Sequence, residues 1–414
     1  LTLHVPSSLD VPAPPKVERV AALQDVTRQQ IDEQIAPPEW DPNWVDDSDN
    51  PEGGGRAGTG FRAFTSTGWV PPDPDLAVGP NHIVAVVNVD MRFFDKNGNQ
   101  QFNTGLESFF GTSGFVFDPV ALYDPHADRF VIAAAEHNNG DYFDIAVSDD
   151  GNPNGTWHKY RVNVSSICGF IDFENLGCST DAYFVTGDCF SGGGNYIHVV
   201  DKASVLNGGS ISVNSIQAKT SLLSNASTKN YDDSTGYFAS SWALGSPKLK
   251  LYAVEDPAGS ATLHKVNLNV GAWSSPPGAV QLGTSNRAST IDNRIKNGVI
   301  RDGFMYLCHN VGHSGVCQVR WYKIDLRGWP TSGTKPRLDD SGYVDAGSGV
   351  YTWFGDVTAD ENGNMAIAYN QSSASQYIGV NSAWRAASDA AGTLKGHQEL
   401  QISTSPETGS RWGD

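Results

Sequence analysis

The apolar residues of this chain fall in short alternating runs, and the clearest lies between Trp353 and Asn370. Met365, Ile367 and Tyr369 alternate with smaller residues, the period of two expected of a half-buried strand. Ahead of them, Asp360 to Asn364 is a polar turn rich in residues that tolerate positive φ. The unit of strand, turn and strand recurs. Copies run from Asp75 to Asn88, from Asp118 to Ala134 with Asp124 to Asp128 as the turn, from Glu174 to Thr186, and from Asp232 to Ser240. A further copy, Lys296 to Cys308, lacks the leading acid, and a seventh opens at Arg411-Trp-Gly-Asp414, where the sequence stops. A spacing of roughly 40–60 residues per mostly-strand copy is the signature of a propeller. The pattern predicts an all-β fold: a β-propeller with seven blade positions, the last incomplete.

Residues 1–68 stand outside the repeat and read as an arm, with the propeller assigned to 69–414. Leu1 to Pro15 is Pro-rich and predicted extended. Lys16 to Ile35 carries an imperfect amphipathic stripe (Val17, Val20, Ala21, Leu23, Ile31, Ile35) and predicts one short helix, ended by Pro37-Pro38. Glu39 to Gly60 is an acidic, Gly-rich linker in which Trp40 and Trp44 are the available apolar anchors.

Composition narrows the partners. The 414 residues include 44 Gly and 22 Pro, only 18% are charged, and the net charge is −18. Such acidity argues against nucleic acid and anionic membranes, and it disfavours polyanionic glycans. No apolar run reaches membrane-spanning length. Of five cysteines, Cys308 and Cys317 flank an expected hairpin turn and are predicted to form a disulfide. Zinc is the rival, with His309 and His313 between them, although the spacing fits no standard finger. Cys178 and Cys189 flank another strand and could pair, leaving Cys168 odd. Disulfides imply an oxidising compartment. Leu1 is not an initiator Met, so a processed chain, secreted or held at a cell surface, is expected. Asn154, Asn163, Asn225 and Asn370 head Asn-x-Ser/Thr sequons that an exported chain could glycosylate.

Ser148-Asp-Asp-Gly-Asn-Pro-Asn-Gly-Thr-Trp157 resembles the Asp-box of sialidase-like propellers, a structural turn between outer strands. Gly363 to Ser373, Arg385 to Leu394 and Arg411 to Asp414, with Ile171 to Thr186 and Asp75 to Asn88, resemble a broad family of secreted bacterial β-propeller proteins. The likeness covers residues 70–414. It implies fold and export, and transfers no catalytic residues. Relatives continue past the Trp-Gly-Asp with the rest of a blade.

Propellers place ligands at the axial mouth, where inner strands begin, and Asp75, Asp118, Glu174, Asp232, Asp356 and Asp414 are expected there. Converging carboxylates could bind calcium through oxygen ligands, or include the carboxyl pair of a glycoside hydrolase. The competing role is local: each Asp caps backbone amides at its own strand entry. No Gly-x-Ser-x-Gly elbow, His-Glu-x-x-His or phosphate loop occurs, and His82, His126, His137, His158 and His198 are scattered. No cofactor is required by any motif. Two functions follow. One is a non-catalytic extracellular subunit that self-associates through residues 1–68, with an open sector inviting trans docking and a filament. The other is a secreted carbohydrate-active propeller, either a glycoside hydrolase or a polysaccharide lyase.

Overall fold

In a computed structural model, the structure describes residues 60–65, 67–190, 194–219, 226–241, 247–409 and 411–413. The described strands form six blades of four antiparallel strands; blades 1, 2 and 6 are separate sheets, and blades 3 to 5 join into one 12-stranded sheet where the inner strand of blade 4 pairs in parallel with those of blades 3 and 5. Blade 1 comprises β1 (Asp75–Val78), β2 (His82–Val87), β3 (Asp90–Asp95) and β4 (Gln100–Gly105), followed by the short helix α1 (Leu106–Phe110). Blade 2 is β5 (Phe115–Asp124), β6 (Arg129–His137), β7 (Asp141–Ser148) and β8 (Trp157–Asn163). Blade 3 is β9 (Ile171–Cys178), β10 (Ala182–Cys189), β11 (Gly194–Asp201) and β12 (Val213–Lys219), with helix α2 (Lys202–Val205) between the last two. Blade 4 is β13 (Ala226–Asn230), β14 (Gly236–Ser241), β15 (Lys248–Glu255) and β16 (Thr262–Asn269). Blade 5 is β17 (Ile295–Arg301), β18 (Phe304–His313), β19 (Val316–Asp325) and β20 (Arg337–Tyr343). Blade 6 is β21 (Tyr351–Ala359), β22 (Met365–Ser373), β23 (Gln376–Arg385) and β24 (Lys395–Ile402).

Blades cohere face to face through apolar side chains. Ala77, Val84 and Phe93 of blade 1 meet Phe130 and Ile132 of blade 2. On the other side of blade 2, Phe143 and Ile145 meet Tyr183 and Val185 of blade 3. Phe184 packs on Phe238 of blade 4, Leu251 lies in one cluster with Leu307 of blade 5, and Trp321 with Ile367 of blade 6. Among the described residues, no apolar cluster joins blade 6 to blade 1. The exposed large apolar side chains lie in blades 1 and 6 and in the segment entering blade 1. Phe61 and Val70 belong to the segment entering blade 1, Leu76, Val78 and Phe102 to blade 1, and Val380, Trp384 and Leu400 to blade 6.

Several expectations need correction. Arg411 to Gly413 starts no strand: Trp412 packs against the cluster containing Tyr351 and Trp353 of blade 6. Asp414, the helix at 16–35, Trp40, Trp44 and Asn225 lie outside the described residues. The disulfide joins Cys168 to Cys189, with Cα atoms 4.8 Å apart, while Cys178, Cys308 and Cys317 are buried free thiols. Register is the reason. Cys308 lies opposite Trp321 and Cys317 opposite Gly312, so the two sulfurs point into different clusters. Cys178 and Cys189 sit at opposite ends of the β9–β10 hairpin. Zinc has no ligands here either. His309 Nδ1 donates to the Asn293 carbonyl and its Nε2 accepts from Tyr322, while His313 stacks on Tyr343.

The Asp-box-like turn joins β7 to β8, between outer strands, and its Asp149 carboxylate accepts the Thr156 N–H. Asn154 and Asn163 are exposed, whereas Asn370 is half-buried inside β22. No helix among the described residues is long and apolar enough to cross a membrane.

Candidate functional site

Inner strands β5, β9, β17 and β21 share an irregularity. Each slips register against its neighbour, at Asp118-Pro119, Phe173-Glu174, Lys296-Asn297 and Phe354-Gly355. A bulge re-aims the side chains at its crest. Three crest residues, Asp118, Phe173 and Phe354, have left-handed backbones at φ 49°, 59° and 48°. Non-glycine residues hold that conformation at a cost of about 1–3 kcal/mol, so neighbours must impose it. Some of them are visible: Asn88 accepts the Asp118 N–H from the preceding blade, and Asn310 accepts the Phe354 N–H in the same way. The four bulges surround one cavity.

That cavity has a volume of about 740 Å³ and takes at least one side chain from every blade: Asp75, Asp118, Glu174, Lys229, Arg294 and Asp356. Aromatic surface comes from Trp69, Phe173, Phe354 and Trp412. Arg294 lies 3.7 Å above the Phe173 ring and is itself bound to Asp292.

Four of the six expected carboxylates therefore meet here. Asp75 also caps, accepting the N–H of Leu76 and that of Ala121 in blade 2, and Asp118 accepts the Phe173 N–H of blade 3. The local and the convergent roles coexist, because the acid of one blade ties down the inner strand of the next. Asp356 accepts from Asn297 of blade 5. Asp232 is elsewhere: it lies after the inner strand, exposed, and accepts the N–H groups of Asp302 and Gly303. The blade 4 copy covers the turn and second strand, so its leading acid is not at the axis.

Asp172 was not anticipated. One oxygen each of Asp118, Asp172 and Glu174 lie within 4.8 Å of one another, all buried. Glu174 is 5% exposed and neither of its oxygens has a hydrogen-bond partner. Burial, reinforced by Asp118, Asp172 and Asp188, holds its carboxyl well above the usual range. Asp75 is raised to about 6 by burial, against the pull of Lys229. Two further groups went unread in the sequence, Lys229 and Arg294. The signal for Asp172 was present, since Ile171-Asp-Phe-Glu-Asn-Leu176 puts two acids in one apolar strand entry. Nothing in sequence marked Lys229 as axial.

Comparison with solved structures finds only distant likenesses. The exo-β-1,3-galactanase of Phanerochaete chrysosporium is 11% identical at TM-score 0.36, over 72% of this chain and 74% of that one. The GH43 endo-arabinanase of Bacillus licheniformis is 13% identical at TM-score 0.32, over 64% and 97%. A Synechocystis apocarotenoid oxygenase mutant is 10% identical at TM-score 0.45, over 80% and 73%. These likenesses concern the fold alone. No protein-family model and no curated protein matches the chain.

Proposed function

We propose that the chain is a carbohydrate-active propeller that hydrolyses glycosidic bonds in its axial cavity, with Glu174 as proton donor and Asp75 as base. What supports this is the coexistence, in one aromatic-lined cavity, of two carboxyls that burial raises above the usual range, Glu174 with acids beside it and Asp75 with Lys229. Asp75 ionises at about pH 6, and burial among acids pushes the Glu174 carboxyl upward and so favours its protonated form. One carboxyl that holds its proton and one that gives it up are what acid–base cleavage of an acetal needs, and the acids around Glu174 and the cation beside Asp75 favour that division. Asp118 and Asp172 act on Glu174 as like charges that oppose its ionisation. Trp69 and Trp412 offer flat faces on which a pyranose could rest. With a net charge of −18, a neutral glycan is favoured over a uronate polymer.

The test is release of reducing ends from a panel of neutral galactans, arabinans, glucans and xylans. Glu174→Gln is expected to lower kcat about 10²–10⁴-fold. Activity should fall as pH drops through about 6, where Asp75 takes up a proton. Turnover that survives Glu174→Gln would remove the assignment. Calcium bound by Asp118, Asp172 and Glu174 would require Glu174 ionised, so a melting temperature that climbs with added calcium would also overturn it.

A further inference from the structure

The outward face of blade 6 is built to be covered. Parity along its strands sends Val357, Ile367 and Tyr369 toward blade 5 and sends Ala366, Ala368, Val380 and Trp384 the other way. Val380 is 41% exposed and Trp384 38%. Across the gap, Leu76 and Val78 of blade 1 are 54% and 49% exposed. Blades 2 to 5 leave no large apolar side chain this open among the described residues.

A polar position points the same way. Asn310, on the face of blade 5 that meets blade 6, accepts the Phe354 N–H at 2.8 Å. Asn370 occupies the equivalent place in blade 6, equally far along the strand from its turn glycine (Gly303 to Asn310, Gly363 to Asn370). The Asn370 side chain hydrogen-bonds to no described residue. An inner-strand N–H is the donor its counterparts receive, so the expected cover is polypeptide.

We propose that residues 1–59 of the same chain cover this face, in cis. The described chain enters beside it. Phe61 lies on Phe94 of blade 1 with ring centroids 4.9 Å apart, and Arg92 donates to the Ala63 carbonyl while stacking on Phe64. Phe64 and Val70 border the same cavity as Asn370 and Val380, so the preceding chain begins at the mouth between blades 1 and 6. An extended residue spans about 3.3 Å, and 59 residues are ample for the crossing. Trp40, Trp44 and Val45 provide apolar side chains to meet Val380 and Trp384. Because the segment is already seated on blade 1, its effective concentration favours its own chain over a neighbour's. This proposal is independent of the hydrolase reading.

The test is maleimide labelling of Ala368→Cys, whose site is exposed whereas the three natural thiols are buried. In the full chain labelling is expected to be slow. Deleting residues 1–59 should accelerate it about tenfold or more, and light scattering should give a monomer before and after. Should the deletion misfold, Trp40→Asp with Trp44→Asp in the full chain should produce the same acceleration. Equal rates with and without the segment, fast or slow, would overturn the proposal. So would a full chain that is dimeric and protected but becomes monomeric and labelled on deletion, since the cover would then come from a second copy.

Discussion

Blade 3 and blade 6 have the same connectivity and the same bulged inner strand, but differ in what lies on either side. β10 of blade 3 is buried at every position, with Tyr183 and Val185 turned to blade 2 and Phe184 meeting Phe238 of blade 4 at 5.3 Å. β22 of blade 6 alternates, with Met365, Ile367 and Tyr369 inside and Ala366 and Ala368 outside. A strand between two sheets reads as a continuous apolar run, while a strand with one free face reads as alternation. The period-two pattern at 365–369 is therefore the mark of a blade with one face uncovered by another blade.

The largest expected contrast sets Trp321 against Trp384. Trp321 is fully buried between blades 5 and 6, so Trp321→Ala should cost about 3–5 kcal/mol in urea unfolding. Trp384→Ala should cost about 1 kcal/mol in the full chain and almost nothing once residues 1–59 are deleted. Similar losses for the two tryptophans in the deleted chain would mean that blade 6 is not open.

Blade 3 also has a covalent tie that blade 6 lacks. Cys168–Cys189 closes a loop with a sequence separation of 21, and Cys168→Ser with Cys189→Ser should lower unfolding free energy by about 2–4 kcal/mol. The same pair of substitutions at Cys308 and Cys317 should leave non-reducing peptide maps unchanged, because neither is bridged.

The last contrast is a pH slope confined to blade 2. Burial, and then the charge of Glu136, raise Asp144 from 3.8 to about 8, against Arg161. Folding thus favours its protonated form. The stability it contributes is complete below about 3.8 and is lost as pH climbs through about 8. Asp144→Asn should flatten the decline in melting temperature over that range. An unchanged slope would remove Asp144 as its source.

The candidate site was half legible. Asp75, Asp118, Glu174 and Asp356 could be named from the repeat, because an acid at a strand entry stands out among apolar neighbours. Asp232 was placed wrongly because the blade 4 copy was aligned one strand late. Its inner strand, Ala226–Asn230, is short, polar and without alternation. Lys229 and Arg294 could not be assigned, since a lone cation in a strand reads as solvated surface until the ring closes around it.

Local chemistry alone determined the strands, the turns at Asp124 to Asp128 and Asp360 to Asn364, the Asp-box-like turn and the propeller class, because each depends on side-chain parity or on a few neighbouring dihedrals. Which cysteines pair was decided by ladder register, which brings Cys189 against Ile171 and so beside Cys168. The upward shift of the Glu174 carboxyl was decided by burial and by the charges of Asp118, Asp172 and Asp188, which come from three strands. The open face of blade 6 was decided by what does not lie next to it. Register, desolvation and coverage all depend on residues distant in sequence, and no local pattern encodes the distance between them.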